Sequence, residues 1–247
     1  MPTIYLSPST QQANPYITGG TEEYYMNRLA DAMVPYLRSS GIQYTRNTPD
    51  MTAASSIRAS NAGNYDVHLA LHSNAAPDAL SGQIRGTDVY FYPGSTSGRR
   101  LADLLVDNLK QVYPNPAKVR AVPTTSLGEV SRTRAPGVLI EYAYHDNVED
   151  ANWIKNNLDS IARATVRALT EYFGIPFVEP QPAQEARVNV SSGYLNIRSK
   201  PSTNSTVLAR AYDGDPITIL GEWQGWDVVN YRGTVGYAAS QYIEPVG

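Results

Sequence analysis

The chain has 247 residues, a net charge of −3, three histidines and no cysteine, and 42% of its residues are hydrophobic. This length and composition predict one medium-sized globular domain, with room for a small second one. The acidic balance argues against nucleic-acid binding, no apolar run is long enough for a membrane span, and the lack of cysteine excludes disulfides and thiolate metal sites.

Residues 1–176 alternate between strand and helix patterns. Strands are predicted at residues 3–6, 42–45, 67–71, 87–92 and 137–142, and helices at residues 22–39, 55–64, 99–112 and 147–172. In the first helix Met26, Leu29 and Met33 recur at helical spacing, and Pro35 predicts a kink. The alternation predicts an α/β domain, a mixed open sheet with helices on both faces.

The composition changes after residue 176. Residues 177–186 form a proline-spaced segment, which predicts a linker. Beyond it, short alternating segments separated by turn residues predict strands at residues 188–190, 194–198, 207–211, 216–220, 226–231 and 234–238. Residues 187–247 are therefore predicted to form a small all-β barrel, a second domain.

Two of the three histidines follow predicted strands. His72 comes directly after the strand at 67–71, and His145 closely follows the strand at 137–142. Ligands of open α/β sheets bind at the carboxyl ends of strands, and without cysteine a catalytic zinc needs His and carboxylate ligands. His68 lies in mid-strand, roughly 13 Å from His72, and is predicted to be a hydrogen-bonded core histidine.

The run His72-Ser73-Asn74-Ala75 resembles the zinc-dependent N-acetylmuramoyl-L-alanine amidases of the type 3 family. Further motifs of that family follow in order: Gly20-Thr21-Glu22-Glu23, Arg58-Ala59-Ser60-Asn61, Gly86-Thr87-Asp88-Val89-Tyr90, Pro136-Gly137-Val138-Leu139-Ile140-Glu141 and Asn147-Val148-Glu149-Asp150. The resemblance covers nearly all of residues 1–175. It implies hydrolysis of peptidoglycan at the amide between N-acetylmuramic acid and L-alanine.

The resemblance implies specific roles for three residues. Glu23 and His72 would be zinc ligands, and Glu141 would be the general acid/base. A catalytic zinc lowers the pKa of its bound water, and a nearby carboxylate then transfers the proton to the leaving amine. For Glu141 the alternative is a structural ion pair with Arg132 or Arg134.

Three further residues are predicted to contact the substrate. They are Asn74, Glu129 and Arg132. Asn74 has the alternative role of holding the turn after His72. Glu129 and Arg132 precede the strand that carries Glu141.

One position departs from the family pattern. The family's first strand ends in a zinc-binding histidine, and this chain has Thr10 there. His145 is the predicted substitute ligand, Gln11 and Gln12 are alternatives, and a dead site is the remaining possibility. Three functions therefore stay open: a zinc-dependent peptidoglycan amidase, an inactive scaffold that binds the wall, and a zinc hydrolase of another amide.

The segment from Gly193 to Ser202 resembles the opening of bacterial SH3 (SH3b) cell-wall modules. The resemblance implies that the second domain holds the protein on peptidoglycan. The predicted wall-binding residues are Asn196, Arg198, Trp226 and Tyr237. The alternative is that these side chains only pack and cap the barrel.

The first residues, Met1 to Leu6, lack the basic and apolar regions of a secretory signal. We therefore expect a protein that acts at the cell wall after release by lysis, a holin or non-standard export. Separately, we expect a monomer. A phage, a cellular and a sporulation role all remain open.

Overall fold

The computed structural model describes residues 1–246. The chain divides into two compact units. One consists of Thr3–Met33 and Tyr44–Tyr172, and the other of Met1–Pro2, Val34–Gln43 and the chain from Phe173 onward. Residues 34–43, predicted to belong to the first domain, are thus grouped with the C-terminal residues.

Residues 1–176 contain six strands and six helices. The strands are β1 Thr3–Pro8, β2 Gln43–Arg46, β3 Val67–Asn74, β4 Thr87–Phe91, β5 Val119–Pro123 and β6 Gly137–Tyr144. The helices are α1 Glu22–Ser39, α2 Ala53–Ala62, α3 Thr96–Leu109, α4 Gly128–Ser131, α5 Val148–Asn156 and α6 Leu158–Phe173. Helix α1 runs through Pro35.

The six strands form one mixed sheet in the order β2-β1-β3-β6-β4-β5. Strand β3 pairs in parallel with β1 and β6, and β4 pairs in parallel with β5 but antiparallel with β6. Strands β3 and β6 are almost continuously buried, as their apolar sequences predict. The predicted α/β class with a mixed sheet is confirmed.

Some elements differ from those predicted. Strand β5 and helix α4 were not predicted, because each is short and neither has a clear apolar periodicity. The predicted helix at 147–172 is two helices, separated at Asn157. The amide N–H of Asn157 bonds the Ile154 carbonyl and its side chain the Trp153 carbonyl, so the last turn of α5 is closed there.

Residues 184–245 form a seven-stranded antiparallel sheet. Its strands are β7 Gln184–Val188, β8 Leu195–Arg198, β9 Val207–Ala211, β10 Pro216–Trp223, β11 Trp226–Tyr231, β12 Thr234–Ala239 and β13 Ile243–Pro245. Their order is β13-β7-β10-β11-β12-β8-β9, and alternate side chains form a buried core that includes Ile197, Ile219 and Val229. Strand β7 begins at Gln184, inside the predicted linker, and β13 was not predicted.

Parallel pairing brings the carboxyl ends of β1, β3 and β6 to one edge of the first sheet. Helix α4 packs beside β3, β4 and β6. At Gly137, the first residue of β6, an added Cβ would lie only 2.5 Å from the Glu129 carbonyl oxygen. Glycine therefore allows α4 to approach the amino end of β6 closely.

Within residues 1–246 no helix has the length and apolar character that crossing a membrane requires.

Candidate functional site

His72, at the end of β3, lies between two carboxylates. Its Nδ1 is 2.8 Å from Glu22 Oε1, and its Nε2 is 3.1 Å from Glu129 Oε2. All three side chains are buried. Burial alone would lower the pKa of His72, but the hydrogen bonds to the two carboxylates outweigh it and raise that pKa well above its ordinary value.

Glu129 joins His72 to a second histidine. Its Oε1 lies 3.2 Å from His68 Nε2 and also accepts a hydrogen bond from the Ser7 hydroxyl. The other ring nitrogen of His68 is 3.0 Å from Ser60 Oγ, and His68 is completely buried. This is the hydrogen-bonded core position predicted for His68.

Glu22 reaches His72 from the first turn of α1. Asn14 donates to Glu22 Oε2 at 2.7 Å, and the positive end of the helix favours a carboxylate in this turn. Burial alone would raise the pKa of Glu22, but the hydrogen bonds from His72 and Asn14 bring it below the usual range. Glu22 is thus held as a buried, ionised partner of His72.

Glu141 lies beside His72 on the neighbouring strand. The two residues are direct register partners in the β3–β6 pairing. The Oε2 atom of Glu141 is buried and has no hydrogen-bond partner. Burial raises the pKa of this carboxyl to about 7, since the attraction of His72 is opposed by repulsion from neighbouring carboxylates.

The site therefore contains two carboxyl groups, Glu129 and Glu141, whose pKa values are shifted in opposite directions. Burial alone would raise the pKa of Glu129, but hydrogen bonds from His68 and His72 lower it to about 2. The pKa of Glu141 lies near neutrality. Titratable groups whose pKa values are separated in this way are typical of acid–base sites, and the group near neutrality is the one suited to carry a proton.

A cavity of about 270 Å³ opens beside His72 and Glu129. The carboxyl end of β1 forms one wall with Ser9, Thr10 and Gln11, and the start of α2 forms another. Thr10, at the position of the missing histidine, therefore borders this cavity.

The structure does not bring the predicted zinc ligands together. The partner of His72 is Glu22, whereas Glu23 is half-buried and its Oε1 accepts a hydrogen bond from Asn27. His145 Nδ1 donates to the Ser73 carbonyl at 2.9 Å, and its ring stacks on Tyr16. Among residues 1–246, no three His, Asp or Glu side chains are close enough to hold one metal ion.

The donor set accordingly does not fit the three-ligand zinc site that the resemblance implies. The carboxylates of Glu22 and Glu129 face opposite nitrogens of His72, so they cannot join it on one ion. Gln11 turns its amide nitrogen to His72 at 3.5 Å, because its oxygen accepts a hydrogen bond from Asn14.

The predicted substrate-contact residues occupy different environments. Glu129 is buried, and the hydrogen bonds described above use both its oxygens. Asn74 ends β3, and its Oδ1 accepts a hydrogen bond from the Ala75 amide. Arg132 follows α4, and its carbonyl oxygen accepts a hydrogen bond from Asn61.

The contact of Glu22 with His72 was missed, although the sequence carries a signal for it. The buried stripe of α1 contains Met26, Leu29 and Met33. Glu22 precedes these residues by four, seven and eleven positions, so it lies nearer the centre of the stripe than Glu23 does. For Glu129 no periodic pattern surrounds α4 that could have placed it.

The C-terminal sheet carries a separate cavity of about 370 Å³. Three of the predicted wall-binding residues, Asn196, Arg198 and Trp226, line it together with Tyr194 and Tyr242. The Oδ1 atom of Asn196 is buried without a hydrogen-bond partner. Aromatic surfaces and unpaired polar atoms at one concave site are typical of ligand binding.

Tyr237, the fourth predicted wall-binding residue, is placed differently. It lies opposite Val228 in the β11–β12 pairing, and both side chains are fully buried. Burial raises the pKa of its hydroxyl. The prediction of a surface contact for Tyr237 is corrected, because its side chain belongs to the interior.

Two family models match the chain. The model described as N-acetylmuramoyl-L-alanine amidase matches residues 9–171. The model described as bacterial SH3 domain matches residues 193–244. A search of curated proteins gave no match.

Several solved structures share the fold of the N-terminal part. The amidase AmiC2 of Nostoc punctiforme is 16% identical with a TM-score of 0.61, covering 70% of this chain and 97% of its own. An amidase of Clostridium difficile 630 is 16% identical with a TM-score of 0.62, covering 70% and 97%. The catalytic domain of the CD27L endolysin, which targets Clostridia difficile, is 22% identical with a TM-score of 0.56, covering 69% and 98%.

Proposed function

Because the chain belongs to the N-acetylmuramoyl-L-alanine amidase family and carries a bacterial SH3 domain, we propose that it hydrolyses peptidoglycan at the amide between N-acetylmuramic acid and L-alanine. The observation that supports this proposal most directly is the environment of the Glu141 carboxyl group. Its carboxyl group is largely buried, has one unpartnered oxygen, and has a pKa of about 7 at the edge of the sheet where ligands bind.

Glu141 is the proposed proton carrier. As a carboxylate it accepts a proton from the water that attacks the lactyl carbonyl, and as an acid it returns that proton to the amine of L-alanine. A pKa near neutrality suits both steps, because the group is neither permanently ionised nor permanently protonated at pH 7. His72, charged and fixed between two carboxylates, supplies positive potential beside it.

Zinc dependence is typical of the family. In this chain the predicted substitute ligand, His145, faces Ser73, and His72 lies between Glu22 and Glu129. No zinc-bound water is therefore assigned, and the proton transfer is ascribed to Glu141 alone. Metal analysis of the purified protein, after zinc addition and dialysis, measures whether one equivalent is held.

The SH3 domain is proposed to hold the protein on the cell wall. The supporting observation is the cavity with the buried, unpaired Asn196 oxygen, flanked by Arg198 and Trp226. A peptide of the wall offers N–H donors for that oxygen and carboxylates for the guanidinium. This domain would increase the time that the amidase spends near its substrate.

Replacement of Glu141 tests the amidase proposal. Purified peptidoglycan is incubated with the protein, and new amino groups of L-alanine are measured. We expect wild-type protein to release them and Glu141→Gln to lose at least 100-fold in rate, as for loss of a general acid–base group. Asp107→Asn, an exposed acid on α3, is the matched control and should keep the wild-type rate.

Two outcomes would contradict the proposal. Release of L-alanine amines at the wild-type rate by Glu141→Gln would remove the role of that residue. A wild-type protein that sediments with peptidoglycan but releases no amines, with or without added zinc, would instead support the alternative of an inactive wall-binding scaffold.

A further inference from the structure

Four charged residues stand in register across the sheet. His72 on β3 pairs with Glu141 on β6, Glu141 pairs with Asp88 on β4, and Asp88 pairs with Arg120 on β5. Directly paired residues on neighbouring strands place their side chains on the same face. The row therefore leads from the proposed reaction centre to Arg120.

Arg120 is held in place but remains accessible. Its Nε lies 2.6 Å from Asp88 Oδ1, and its Nη2 lies 3.4 Å from Asp88 Oδ2. The Asp88 side chain is 5% exposed, whereas that of Arg120 is 69% exposed. A buried carboxylate thus fixes one side of the guanidinium, and the other donors of its fork face solvent.

The spacing relates Arg120 to the bond that is cleaved. Neighbouring strands lie about 4.8 Å apart, so Arg120 is about 10 Å from Glu141 at the backbone. Its guanidinium is hydrogen-bonded to Asp88, which lies on the strand between Arg120 and Glu141. The guanidinium is therefore closer to Glu141 than the Arg120 backbone is. An extended peptide advances about 3.5 Å per residue, so two residues span about 7 Å, and a side group on the second residue beyond the scissile amide can reach this guanidinium.

The charges of the site also call for a cation at this place. Carboxylates surround the centre, with Glu22, Glu129 and Asp88 all buried near Glu141. An anionic peptide would be repelled by them unless a positive group received its charge. Arg120 is the cation at the far end of the row, and a guanidinium binds a carboxylate through two parallel hydrogen bonds.

We propose that Arg120 binds a carboxylate on the second residue of the substrate's peptide, so that the enzyme prefers a stem peptide with a free α-carboxylate there over one with a carboxamide. The inference rests on the proposed amidase function and adds a substrate preference to it. Asp88 acts as a positioning residue for the guanidinium, and Glu141 remains the proton carrier.

The test uses two soluble probes that differ in one group. One is muramoyl-L-alanyl-D-glutamate with its free α-carboxylate, and the other is the same compound with an α-carboxamide. We expect wild-type protein to prefer the carboxylate by about 10-fold to 100-fold in kcat/KM, mainly through KM, the usual effect of a hydrogen-bonded ion pair. Arg120→Gln should bring the ratio close to one.

Arg99→Gln is the matched control. Arg99 is 70% exposed and also pairs with an aspartate, Asp103, but it lies on α3 outside the row. It should keep the wild-type ratio. Arg120→Lys, which keeps the charge without the planar fork, should give an intermediate ratio.

The outcomes separate this inference from the proposed function. Equal kcat/KM for the two probes with wild-type protein, or an unchanged ratio in Arg120→Gln, would overturn the role of Arg120 while hydrolysis itself stands. The wild-type comparison does not depend on whether a variant folds. Failure of wild-type protein to release amines from whole peptidoglycan would overturn the amidase proposal, and this inference with it.

Discussion

At the scale of single residues, the two central glutamates affect folding in opposite ways. Glu129 accepts hydrogen bonds from three side chains, and its pKa falls to about 2. Glu141 has an oxygen without any partner, and its pKa rises to about 7. A lowered carboxyl pKa stabilises the folded state above the unfolded pKa of about 4.5, and a raised one destabilises it there. The candidate site thus contains one carboxylate that favours folding and one that opposes it.

We predict that glutamine at these two positions changes stability in opposite directions. At pH 8, Glu141→Gln should raise the free energy of unfolding by about 2–3 kcal/mol, and Glu129→Gln should lower it by about 3 kcal/mol. The gain in Glu141→Gln should shrink as the pH falls from 7 through 4.5, because the wild-type carboxyl then protonates. The cost in Glu129→Gln should shrink between pH 4.5 and 2.

Urea unfolding at several pH values measures both effects. Chelator in all buffers keeps added cations from changing the charge of the site. Asp107→Asn, at an exposed position, provides the baseline and should change the free energy by less than about 0.5 kcal/mol. A Glu141→Gln protein no more stable than wild type at pH 8 would show that Glu141 is solvated or paired.

At the scale of elements, the first turn of α5 holds neighbouring segments of the sheet in place through hydrogen bonds. Asn147 caps the helix, with its side-chain oxygen accepting from the amides of Glu149 and Asp150. Asp150 is completely buried and accepts from the amides of Gly86 and Tyr144. It also accepts from the Tyr113 hydroxyl and from Arg85 Nε. The family motif Asn-x-x-Asp is therefore explained here by its structural role.

This role predicts a graded pair of variants. Asn147→Ala should lower the free energy of unfolding by about 1 kcal/mol, the usual cost of losing an N-cap. Asp150→Ala should cost about 3–5 kcal/mol, because it leaves several buried donors without their acceptor. Thermal and urea unfolding measure both. An Asp150→Ala protein that loses no more than Asn147→Ala would contradict the central position given to the aspartate.

Long periodic elements were predictable from the sequence, and short ones were not. The α1 boundaries follow from the apolar stripe and the acidic first turn, and the β3 and β6 strands from their apolar runs. Strand β5 and helix α4 have too few residues for a period to be recognised. Glu129 on α4 was predicted as a substrate contact, but its hydrogen bond to His72 was not predicted, and Arg120 on β5 was not singled out.

The same limit applies to the hydrogen-bond partners of His72. The sequence predicted that His72 and Glu141 lie at or near the ends of two buried strands, and in the structure they are register partners on β3 and β6. Glu22 and Glu23 lie on different sides of α1, and the family motif alone does not tell which of them faces His72, whereas the apolar stripe of the helix does. The orientation of His145 depends on its hydrogen bond to the Ser73 carbonyl, a contact between residues 72 positions apart.

At the scale of the whole molecule, the chain combines an amidase region with an SH3 region, and the two have separate tasks in the proposed function. The candidate amidase site has a buried carboxyl group with a pKa of about 7, whereas the SH3 cavity has aromatic surface, a cation and an unpaired oxygen. Binding to an insoluble polymer and cleavage of a small soluble substrate should therefore respond to different substitutions.

We predict that Trp226→Ala separates these tasks. Trp226 lines the SH3 cavity, and loss of an aromatic contact residue commonly costs 1–2 kcal/mol or more, about 5-fold to 30-fold in affinity. Sedimentation with insoluble peptidoglycan should show that loss, while hydrolysis of a soluble muramoyl peptide stays at the wild-type rate. Tyr92→Ala is the matched control, because Tyr92 is an exposed aromatic residue that does not line the cavity. Equal wall binding by Trp226→Ala and wild-type protein would place the wall contact elsewhere on the chain.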